Sequence, residues 1–367
     1  MVGGGSGGHF YPLIAVAQEL AEHPEKPELV YYGPEPYDQE LLDTYNIRFS
    51  RIPAGKVRRY FSFLNIIDGF KTIGGVIVAL CKLYIHYPDV ILTRGSYASV
   101  PVIFAAWFYR IPVVVQESDV KPGRANRLAG RFARYIAISW APTAEYFDAS
   151  RTALVGIPIR RELQTELPNA HQLLGIPDDL PLIYVTGGSL GAERINTLIL
   201  NSLDELLPHT RIYHQAGNLH ADKVRATARE LLIEQPDLLE NYYVVGTTDA
   251  ATVHALLSAA QIVITRAGTT TLYEIALHQK PAVVIPIPEE VSHDQRTNAY
   301  TYARNGAAIV IEERNLTEHL LQTELFYILN DAESYKSMQN ATVNIATTAA
   351  AATICDALIK IGHEHAS

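Results

Sequence analysis

Two glycine-rich turns, about half a chain apart, constrain the fold of this chain most. The first runs from Gly3 to His9 and precedes an apolar stretch with helical spacing, Pro12 to Leu20. The second runs from Gly187 to Ala192 and follows a strand-like run, Leu182 to Thr186. Glycine lets the backbone approach a phosphate, and a following helix points its free amides at the same place. The two turns predict two nucleotide-scale domains that face one cleft.

The rest of the chain alternates short β-branched runs with helical patterns, which predicts an α/β fold with parallel sheets covered by helices. The predicted strands are Leu29 to Tyr32, Val90 to Thr93, Val113 to Gln116, Ile136 to Ile138, Ala153 to Val155, Leu182 to Thr186, Arg211 to His214, Tyr242 to Val245, Ile262 to Thr265, Ala282 to Ile285 and Ala308 to Ile311. Glycine and proline between 156 and 161 mark the linker. The expected domains are residues 1–157 and 158–340, with a C-terminal helix at about 341–362 that packs back on the first domain.

Composition narrows the function classes. The chain has 367 residues, enough for two domains, and a net charge of −9, which argues against a general nucleic-acid binder. Its two cysteines, Cys81 and Cys355, provide neither a disulfide framework nor a metal-ligand spacing, so we expect a reducing cytoplasm.

The first glycine turn lacks a preceding strand, because only Met1 and Val2 come before it. We expect that the natural protein starts several residues upstream, with an apolar strand that ends in this turn. The alternatives are that another segment fills the gap or that the domain is impaired. A dinucleotide-binding dehydrogenase also stays open, because Glu35 follows the next strand as a ribose acid would, although His9 directly after the glycines does not suit that turn.

Two neighbouring segments are candidates for contact with a membrane. The apolar stretch from Phe70 to Tyr87 is uninterrupted only from Ile73 to Leu80, far short of the ~20 residues that a span requires, so we expect no span. Upstream of it, cations alternate with aromatic residues: Lys56, Arg58, Arg59, Tyr60, Phe61 and Phe63. Such a patch can rest on anionic lipid head groups, or it can be a solvated loop beside a packed helix.

The second half carries sharper candidates for ligand binding. Thr269, Thr270 and Thr271 begin a helix after a strand, where amides and hydroxyls can hold a phosphate or a sugar oxygen. Glu274 comes about one turn later and can accept two hydrogen bonds from a ribose diol. The alternative is that Thr269 only caps the helix and that Glu274 only interacts with the helix dipole. Gln295 and Asn298 stand three apart, a spacing at which two amides can hold adjacent sugar hydroxyls.

Taken together and in order, these motifs resemble the MurG family, the N-acetylglucosaminyltransferases that act on undecaprenyl-diphosphate-linked muramyl peptide. The motifs are the glycine turn ending in His9, Gly-Ile-Pro-Ile-Arg160, Gly-Gly-Ser189-Leu-Gly-Ala, Arg-Ala-Gly-Thr-Thr-Thr-Leu-Tyr-Glu274 and Asp-Gln295-Arg-Thr-Asn298-Ala. The resemblance runs nearly end to end. Two departures stand out: Asp119 where many members carry Asn, and Ile157 where the family has Gly-Asn-Pro.

The resemblance implies a GT-B fold, two Rossmann-like domains with the active site in the cleft between them. The C-terminal domain would bind UDP-N-acetylglucosamine, with Ser189 at the diphosphate, Glu274 on the ribose, and Gln295 and Asn298 on the sugar. Thr269 to Thr271 would lie between phosphate and sugar, Arg160 on the nucleotide side, and the uracil near residues 247–251.

On the acceptor side, the resemblance implies that the first glycine turn, with Ser6, Gly7, Gly8 and Asp119, receives the diphosphate of undecaprenyl-diphosphate-muramyl-pentapeptide. The reaction would invert the anomeric carbon without a metal or other cofactor, as one step of peptidoglycan synthesis, on the cytoplasmic face of the cell membrane. His9 is the first candidate for the general base, because an unperturbed imidazole suits neutral pH.

Two other functions fit the same architecture. A UDP-N-acetylglucosamine 2-epimerase would need cleft carboxylates suited to elimination and re-addition, and the sequence offers no clear set of them. An inactive sugar-nucleotide binder stays open because of the missing first strand.

Overall fold

The computed structural model describes residues 1–56, 64–188, 191–289 and 294–366. The chain divides into two compact units, one formed by Met1–Arg161 with Thr347–Ser367 and the other by Glu162–Ala346. They are called unit 1 and unit 2 below. The sequence placed the corresponding boundaries at residues 157 and 341.

Helices and strands alternate through both units. Their order is α1 (Gly7–Glu22), β1 (Val30–Gly33), α2 (Gln39–Thr44), β2 (Arg48–Arg51), α3 (Leu64–His86), β3 (Ile91–Thr93), α4 (Val100–Tyr109), β4 (Val113–Glu117), α5 (Arg124–Gly130), β5 (Tyr135–Ile138) and β6 (Thr152–Leu154). The order continues with α6 (Ala170–Leu174), β7 (Leu182–Thr186), α7 (Glu193–Leu200), α8 (Leu203–Leu206), β8 (Arg211–Gln215), α9 (Ala221–Leu231), β9 (Tyr242–Val245), α10 (Ala250–Ala259), β10 (Ile262–Thr265), α11 (Thr269–Leu277), β11 (Ala282–Val284), α12 (Gln295–Ala303), β12 (Ala308–Val310), α13 (Glu318–Asn330), α14 (Ala332–Thr342) and α15 (Ala350–Ala366).

Unit 1 contains parallel strands in the orders β1-β2 and β3-β4-β5-β6. Val2 joins the two groups, because it is fully buried and forms parallel bridges to Tyr32 on β1 and to Thr93 on β3. Its amide donates to the Leu92 carbonyl at 2.8 Å, and its carbonyl accepts from the Arg94 amide at 3.2 Å. The residue just before the glycine turn therefore lies in the middle of the sheet, where the sequence predicted a longer strand.

Unit 2 contains one six-stranded parallel sheet in the order β12-β11-β10-β7-β8-β9. Its first strand, β7, is central, and the chain adds strands first on one side and then on the other. This is the doubly wound order, in which the crevice at the carboxyl ends of the two central strands is open to a ligand. In unit 2 those strands are β7 and β10. In unit 1 the same reversal occurs between Val2 and β3.

The predicted strands are all present, and their ends differ from the prediction by at most a residue or two. The α/β prediction is therefore confirmed. Strand β2 escaped the prediction because its residues, Arg48 to Arg51, are mostly polar and only Ser50 is buried. It forms because β1 offers it a full parallel register.

The C-terminal helix begins at Ala350, not near residue 341. Residues up to Thr342 belong to α14, and the Thr347 hydroxyl accepts the Ala349 amide at 3.2 Å just before α15 starts. The apolar face of α15 packs in the core of unit 1 beside α1, where Ile354 and Leu358 are buried with Leu13.

Helix α3 has an exposed apolar face. By length and composition its segment Ile67–His86 could cross a membrane, and it is the one such helix among the residues described. Only 17% of the 18-residue apolar stretch within it is buried. The opposite face is anchored, because Ala79 and Leu83 are fully buried in the core of unit 1. At Gly75 a side chain would lie 1.9 Å from the Pro53 carbonyl oxygen.

Candidate functional site

The first glycine turn joins the sheet of unit 1 to α1. A Cβ on Gly4 would lie 2.6 Å from that of Ala98, and Gly5 has a φ of +81°, so both positions require glycine. Helix α1 begins at Gly7 with Ser6 as its N-cap, whose side chain makes no capping hydrogen bond. The predicted phosphate residues Ser6, Gly7 and Gly8 thus lie at an exposed to half-exposed helix start, where backbone amides can meet an anion.

His9 is half-buried, and its surroundings differ from the expectation. Burial and the charge of Arg94 lower the pKa of His9 to about 4, while a hydrogen bond to the Arg94 backbone opposes this. The expected unperturbed pKa is therefore wrong for the protein without substrate. The imidazole is neutral at pH 7, which leaves it able to accept a proton.

Arg94 was not among the sequence candidates. It directly follows β3, and the residue is 3% exposed. Nη2 donates to the Gly8 carbonyl at 2.8 Å, and Nη1 donates to the Gln116 side-chain oxygen. The signal that would have indicated it is a lone arginine at the end of an apolar parallel strand, close to where a ligand crevice opens.

A buried polar network extends from Arg94 along the carboxyl ends of the strands. The amide nitrogen of Gln116 donates to Ser139 Oγ at 3.2 Å and to the Gly156 carbonyl at 3.3 Å. Glu117 accepts hydrogen bonds from the Asp119 and Gly123 amides and from Asn126 Nδ2, at 2.9 to 3.1 Å. Burial, together with the Asp119 charge, raises the pKa of Glu117 to about 7, although these hydrogen bonds oppose the rise.

The two remaining unit 1 candidates lie near this network and near α1. Asp119 is half-buried two residues beyond β4, where its charge acts on Glu117 and Arg94. Arg160 is 7% exposed and places its guanidinium 4.2 Å above the ring of Tyr11 on α1. Its expected role on the nucleotide side stays a prediction.

In unit 2 the second glycine turn follows β7. Gly188 and Gly191 have φ angles of +85° and +75°, and a Cβ on Gly191 would lie 2.1 Å from the Ala216 carbonyl oxygen. The turn therefore packs tightly against the end of β8. The predicted diphosphate residue Ser189 lies outside the described residues.

Helix α11 follows β10 on the other side of the crevice of unit 2. Thr269 is buried at its first position, whereas Thr270 and Thr271 are half-buried. Glu274 is half-buried one turn later. Burial raises the pKa of the Tyr184 hydroxyl, in the middle of β7, and the Glu274 charge adds to the rise. Glu274 therefore lies near enough to β7 for its charge to act on Tyr184, and its role at the ribose stays a prediction.

Gln295 and Asn298 lie on the first turn of α12. The side-chain oxygen of Gln295 accepts the amides of Ala267 and Ile287, each at 3.2 Å, and so connects the segments after β10 and β11. This arrangement fixes the orientation of the Gln295 amide group. Asn298 is 1% exposed, so only a small part of its side chain faces solvent.

Sequence reasoning missed Gln215, the last residue of β8. Its side-chain oxygen accepts hydrogen bonds from the hydroxyls of Tyr184, Thr186 and Thr248, at 2.8 to 3.4 Å. This oxygen connects β7 and β8 to the segment after β9, within residues 247–251, which are expected near the uracil. Among the residues that the structure describes, no three His, Cys, Asp or Glu side chains form a group that could hold a metal.

Comparison with known proteins identifies the family. The model of the glycosyltransferase family 28 N-terminal domain matches residues 1–138, and that of the C-terminal domain matches residues 182–354. A relative from Shouchella clausii, 37% identical over 93% of both chains, is named UDP-N-acetylglucosamine--N-acetylmuramyl-(pentapeptide) pyrophosphoryl-undecaprenol N-acetylglucosamine transferase. The chain belongs to the MurG family. A Treponema denticola protein of the same name is 36% identical and covers 84% of this chain and 82% of its own.

Solved structures establish the fold. MurG of Acinetobacter baumannii has a TM-score of 0.73 at 23% identity and covers 98% of both chains. A UDP-GlcNAc 2-epimerase from Neisseria meningitidis, bound to UDP-GlcNAc, has a TM-score of 0.72 at 15% identity and covers 97% of this chain and 98% of its own. The GT-B prediction is confirmed. As a MurG-family member the chain is a hexosyltransferase, so the dehydrogenase alternative built on Glu35 is set aside.

The network around Glu117 predicts a pH dependence of stability. Because folding raises the pKa of this carboxyl to about 7, its contribution to the free energy of unfolding is full below its unfolded pKa and is lost as pH rises through 7. Asp119→Asn removes a cause of the rise. We expect this variant to lose less unfolding free energy than the unchanged protein between pH 5 and pH 8, by on the order of 1 kcal/mol.

The measurement is urea unfolding of the whole protein at several pH values in that range. Asp148→Asn is the control, because the pKa of this exposed carboxyl is lowered and it titrates below the range. Identical pH slopes for Asp119→Asn and the unchanged protein would contradict the assignment.

Proposed function

We propose that this protein transfers N-acetylglucosamine from UDP-N-acetylglucosamine to the 4-hydroxyl of undecaprenyl-diphosphate-linked N-acetylmuramyl pentapeptide, the step from lipid I to lipid II in peptidoglycan synthesis. The observation that carries the proposal is the identity of 31% to 37%, over most of the chain, to proteins named for this transfer. Each unit also has a glycine turn followed by a helix at the carboxyl end of a central strand. A reaction between two diphosphate compounds needs two such anion sites.

We assign the donor to unit 2. Its crevice presents the amides after Gly187 and at the start of α11 to the diphosphate of UDP. Glu274 is the ribose ligand, since a carboxylate can accept hydrogen bonds from both hydroxyls. Gln295 and Asn298 contact the sugar. The side-chain oxygen of Gln295 already accepts the amides of Ala267 and Ile287, so its side-chain nitrogen is the atom that donates to the sugar. Arg160 and Ser189 keep their proposed roles at the nucleotide and the diphosphate.

We assign the acceptor diphosphate to the first glycine turn and its helix α1. A diphosphate beside His9 supplies negative charge, which raises the pKa of the imidazole from about 4 towards neutrality. Substrate binding thereby makes His9 a stronger base where it is needed. Asp119 carries a negative charge near the same turn, so it favours sugar hydroxyls over phosphate oxygens as its contacts.

The reaction is a single displacement with inversion. The muramyl 4-hydroxyl attacks the anomeric carbon as the bond to the UDP oxygen breaks, and the hydroxyl proton passes to His9. The leaving diphosphate gains negative charge, which the amides and dipole at the starts of α7 and α11 stabilise. Preorganised donors of this kind need no rearrangement during the reaction.

The test is release of UDP from UDP-N-acetylglucosamine with and without the lipid acceptor. We expect release only with acceptor, and a kcat lower by ~10²–10⁴-fold in His9→Ala, the range for loss of a general base. Formation of the 2-epimer without acceptor would indicate the epimerase, and binding of UDP-N-acetylglucosamine without turnover would indicate an inactive binder. Activity within a few-fold in His9→Ala would exclude this residue as the base.

Replacing the ribose carboxylate gives a second prediction. Glu274→Ala is expected to weaken donor binding by ~1–3 kcal/mol, because a charged acceptor of two hydrogen bonds is lost. The KM for UDP-N-acetylglucosamine rises accordingly while the KM for the acceptor stays unchanged. Glu318→Ala, at the exposed start of α13, is the matched helix-carboxylate control. An unchanged KM for UDP-N-acetylglucosamine in Glu274→Ala would show that Glu274 does not bind the nucleotide.

We further propose that unit 1 binds the cytoplasmic face of an anionic membrane peripherally. Helices α3 and α4 pack against each other, with the ring centroids of Tyr84 and Tyr109 6.2 Å apart, and both helices carry exposed apolar side chains. The most exposed members are Phe70, Ile73, Ile77, Tyr84, Ile85, Trp107 and Phe108. Trp107 and Phe108 also line a cavity of about 720 Å³ with Arg110, Arg134 and Arg151.

Charge favours the same face. Unit 1 has 19 Lys and Arg against 16 Asp and Glu, a net charge of +3, whereas unit 2 has 11 against 23, a net charge of −12. A second cavity of about 610 Å³ is lined by Arg124, Arg127, Arg131 and Arg151, together with Glu145 and with Asp148, which pairs with Arg151. Apolar side chains beside clustered cations fit lipid chains beside anionic head groups.

Sedimentation with phosphatidylglycerol vesicles tests this surface. Replacing Phe70, Ile73 and Ile77 together by Ser is expected to lower the binding constant by about tenfold or more, because three apolar side chains no longer leave water. Leu219→Ser with Ile233→Ser is the control, since these exposed residues lie in unit 2. Replacing Lys56, Arg58 and Arg59 together tests the sequence-based patch, of which Arg58 and Arg59 lie outside the described residues; each cation is worth about 1 kcal/mol at the surface. Unchanged binding after the α3 substitutions would move the contact elsewhere.

A further inference from the structure

We propose that Arg94 is a positioning residue for acceptor chemistry, which fixes the start of α1 and thereby the imidazole of His9. The proposal rests on the proposed function for its kinetic consequence, but its structural part stands without it. Arg94 is 3% exposed as a whole residue and donates to the Gly8 carbonyl at the start of α1, so it acts through its neighbours and not by touching substrate.

The contact with α1 has a specific cause in the sequence. In a helix, the carbonyl of Gly8 would accept the amide of residue 12, but residue 12 is proline and has no N–H. Arg94 Nη2 donates to this carbonyl at 2.8 Å instead. The proline thus removes the i+4 helical donor to this carbonyl, one residue before His9, and the arginine donates to it.

The other end of the guanidinium is equally fixed. Nη1 donates to Gln116 on β4, whose amide group is held in turn by Ser139 and by the Gly156 carbonyl. Arg94 therefore connects α1 to strands β3 and β4. Only a planar fork with several donors can reach two acceptors on different elements, so a lysine at this position would keep the charge and lose one of the two contacts.

Burying a charge has a cost, and the protein offsets it incompletely. The carboxylates of Glu117 and Asp119 favour the charged guanidinium, yet Arg94 Nε has no hydrogen-bond partner. An apolar residue would stabilise such a core position as well or better. A buried arginine here accordingly points to a role in the site, beyond holding the fold.

The charge has a separate effect from the contacts. Among the charged groups that the structure describes, Arg94 lowers the pKa of His9, and Arg94 is itself faced by Glu117 at the end of β4 and by Asp119 just after it. Removing the cation should therefore raise the pKa of His9, whereas replacing it by lysine should leave this pKa nearly unchanged. The two variants therefore distinguish the effect of the Arg94 hydrogen bonds from the effect of its positive charge.

The experiment compares Arg94→Met, Arg94→Lys and a control, Arg211→Met. Arg211 is also a buried arginine, but it begins β8 in unit 2 and pairs with Asp179. We expect kcat for acceptor-dependent UDP release to fall ~10–10²-fold in both Arg94 variants, the scale for misplaced catalytic groups, while the donor KM stays within twofold. The acid limb of the kcat profile should move to higher pH in Arg94→Met alone. Arg211→Met should change neither quantity.

The second readout needs no turnover. NMR titration of the His9 ring, assigned by its absence in His9→Gln, should give a higher pKa in Arg94→Met than in the unchanged protein and in Arg94→Lys. A kcat within twofold in both Arg94 variants, or a His9 titration that is the same in Arg94→Met and the unchanged protein, overturns the proposal. Lack of acceptor-dependent UDP release by the unchanged protein overturns the proposed function instead, and the titration still decides the link between Arg94 and His9. If Arg94→Met does not fold, Arg94→Lys with an unreduced kcat overturns the proposal by itself.

Discussion

The order in which the parallel strands pair determines where each unit can bind a ligand. In both units the chain adds strands on one side of a first strand and then on the other, so two central strands end with their connections leading in opposite directions. A crevice opens there, because neither following helix covers it. In unit 1 a single buried residue, Val2, provides the central pairing, and the glycine turn directly follows it. Substitutions that disturb this pairing would move the turn and α1 together.

The two crevices are built from different chemistry. In unit 1 a buried guanidinium and a carboxyl of raised pKa, Arg94 and Glu117, lie behind the helix start, so the electrostatics of the site depend on ionised groups in a low dielectric. In unit 2 the strand ends are held by the neutral Gln215 oxygen and by the amides that Gln295 accepts. Unit 2 also has an ion pair there, because Arg266, directly after β10, pairs with Glu313 and donates to the Ile285 and Pro286 carbonyls. Unit 1 differs in that its buried guanidinium, Arg94, lowers the pKa of His9.

Overall composition conceals how charge is distributed. The net charge of −9 comes entirely from unit 2, since unit 1 is cationic, and several of its arginines line two cavities, one of them beside Trp107 and Phe108 of α4. An acidic unit repels anionic head groups, and a cationic unit with apolar side chains attracts them. The cationic excess of unit 1 is consistent with the lipid contact proposed for it, although the chain is acidic as a whole. A charge calculated for the entire chain cannot reveal this.

The sequence by itself determined the α/β class, the strands and the position of both glycine turns, because these depend on local periodicity and on glycine's freedom in the backbone. Through motif order it also indicated the family, and it predicted donor-side roles for Glu274, Gln295 and Asn298. It missed β2, whose polar residues form a strand only because β1 offers a register, and it extended the last helix too far towards Thr342. Only the tertiary structure decided that Arg94 donates to the Gly8 carbonyl at the start of α1 and that the pKa of His9 is low. Those facts depend on the burial of charges from segments far apart in the chain, and local sequence carries no signal for the dielectric that surrounds a side chain.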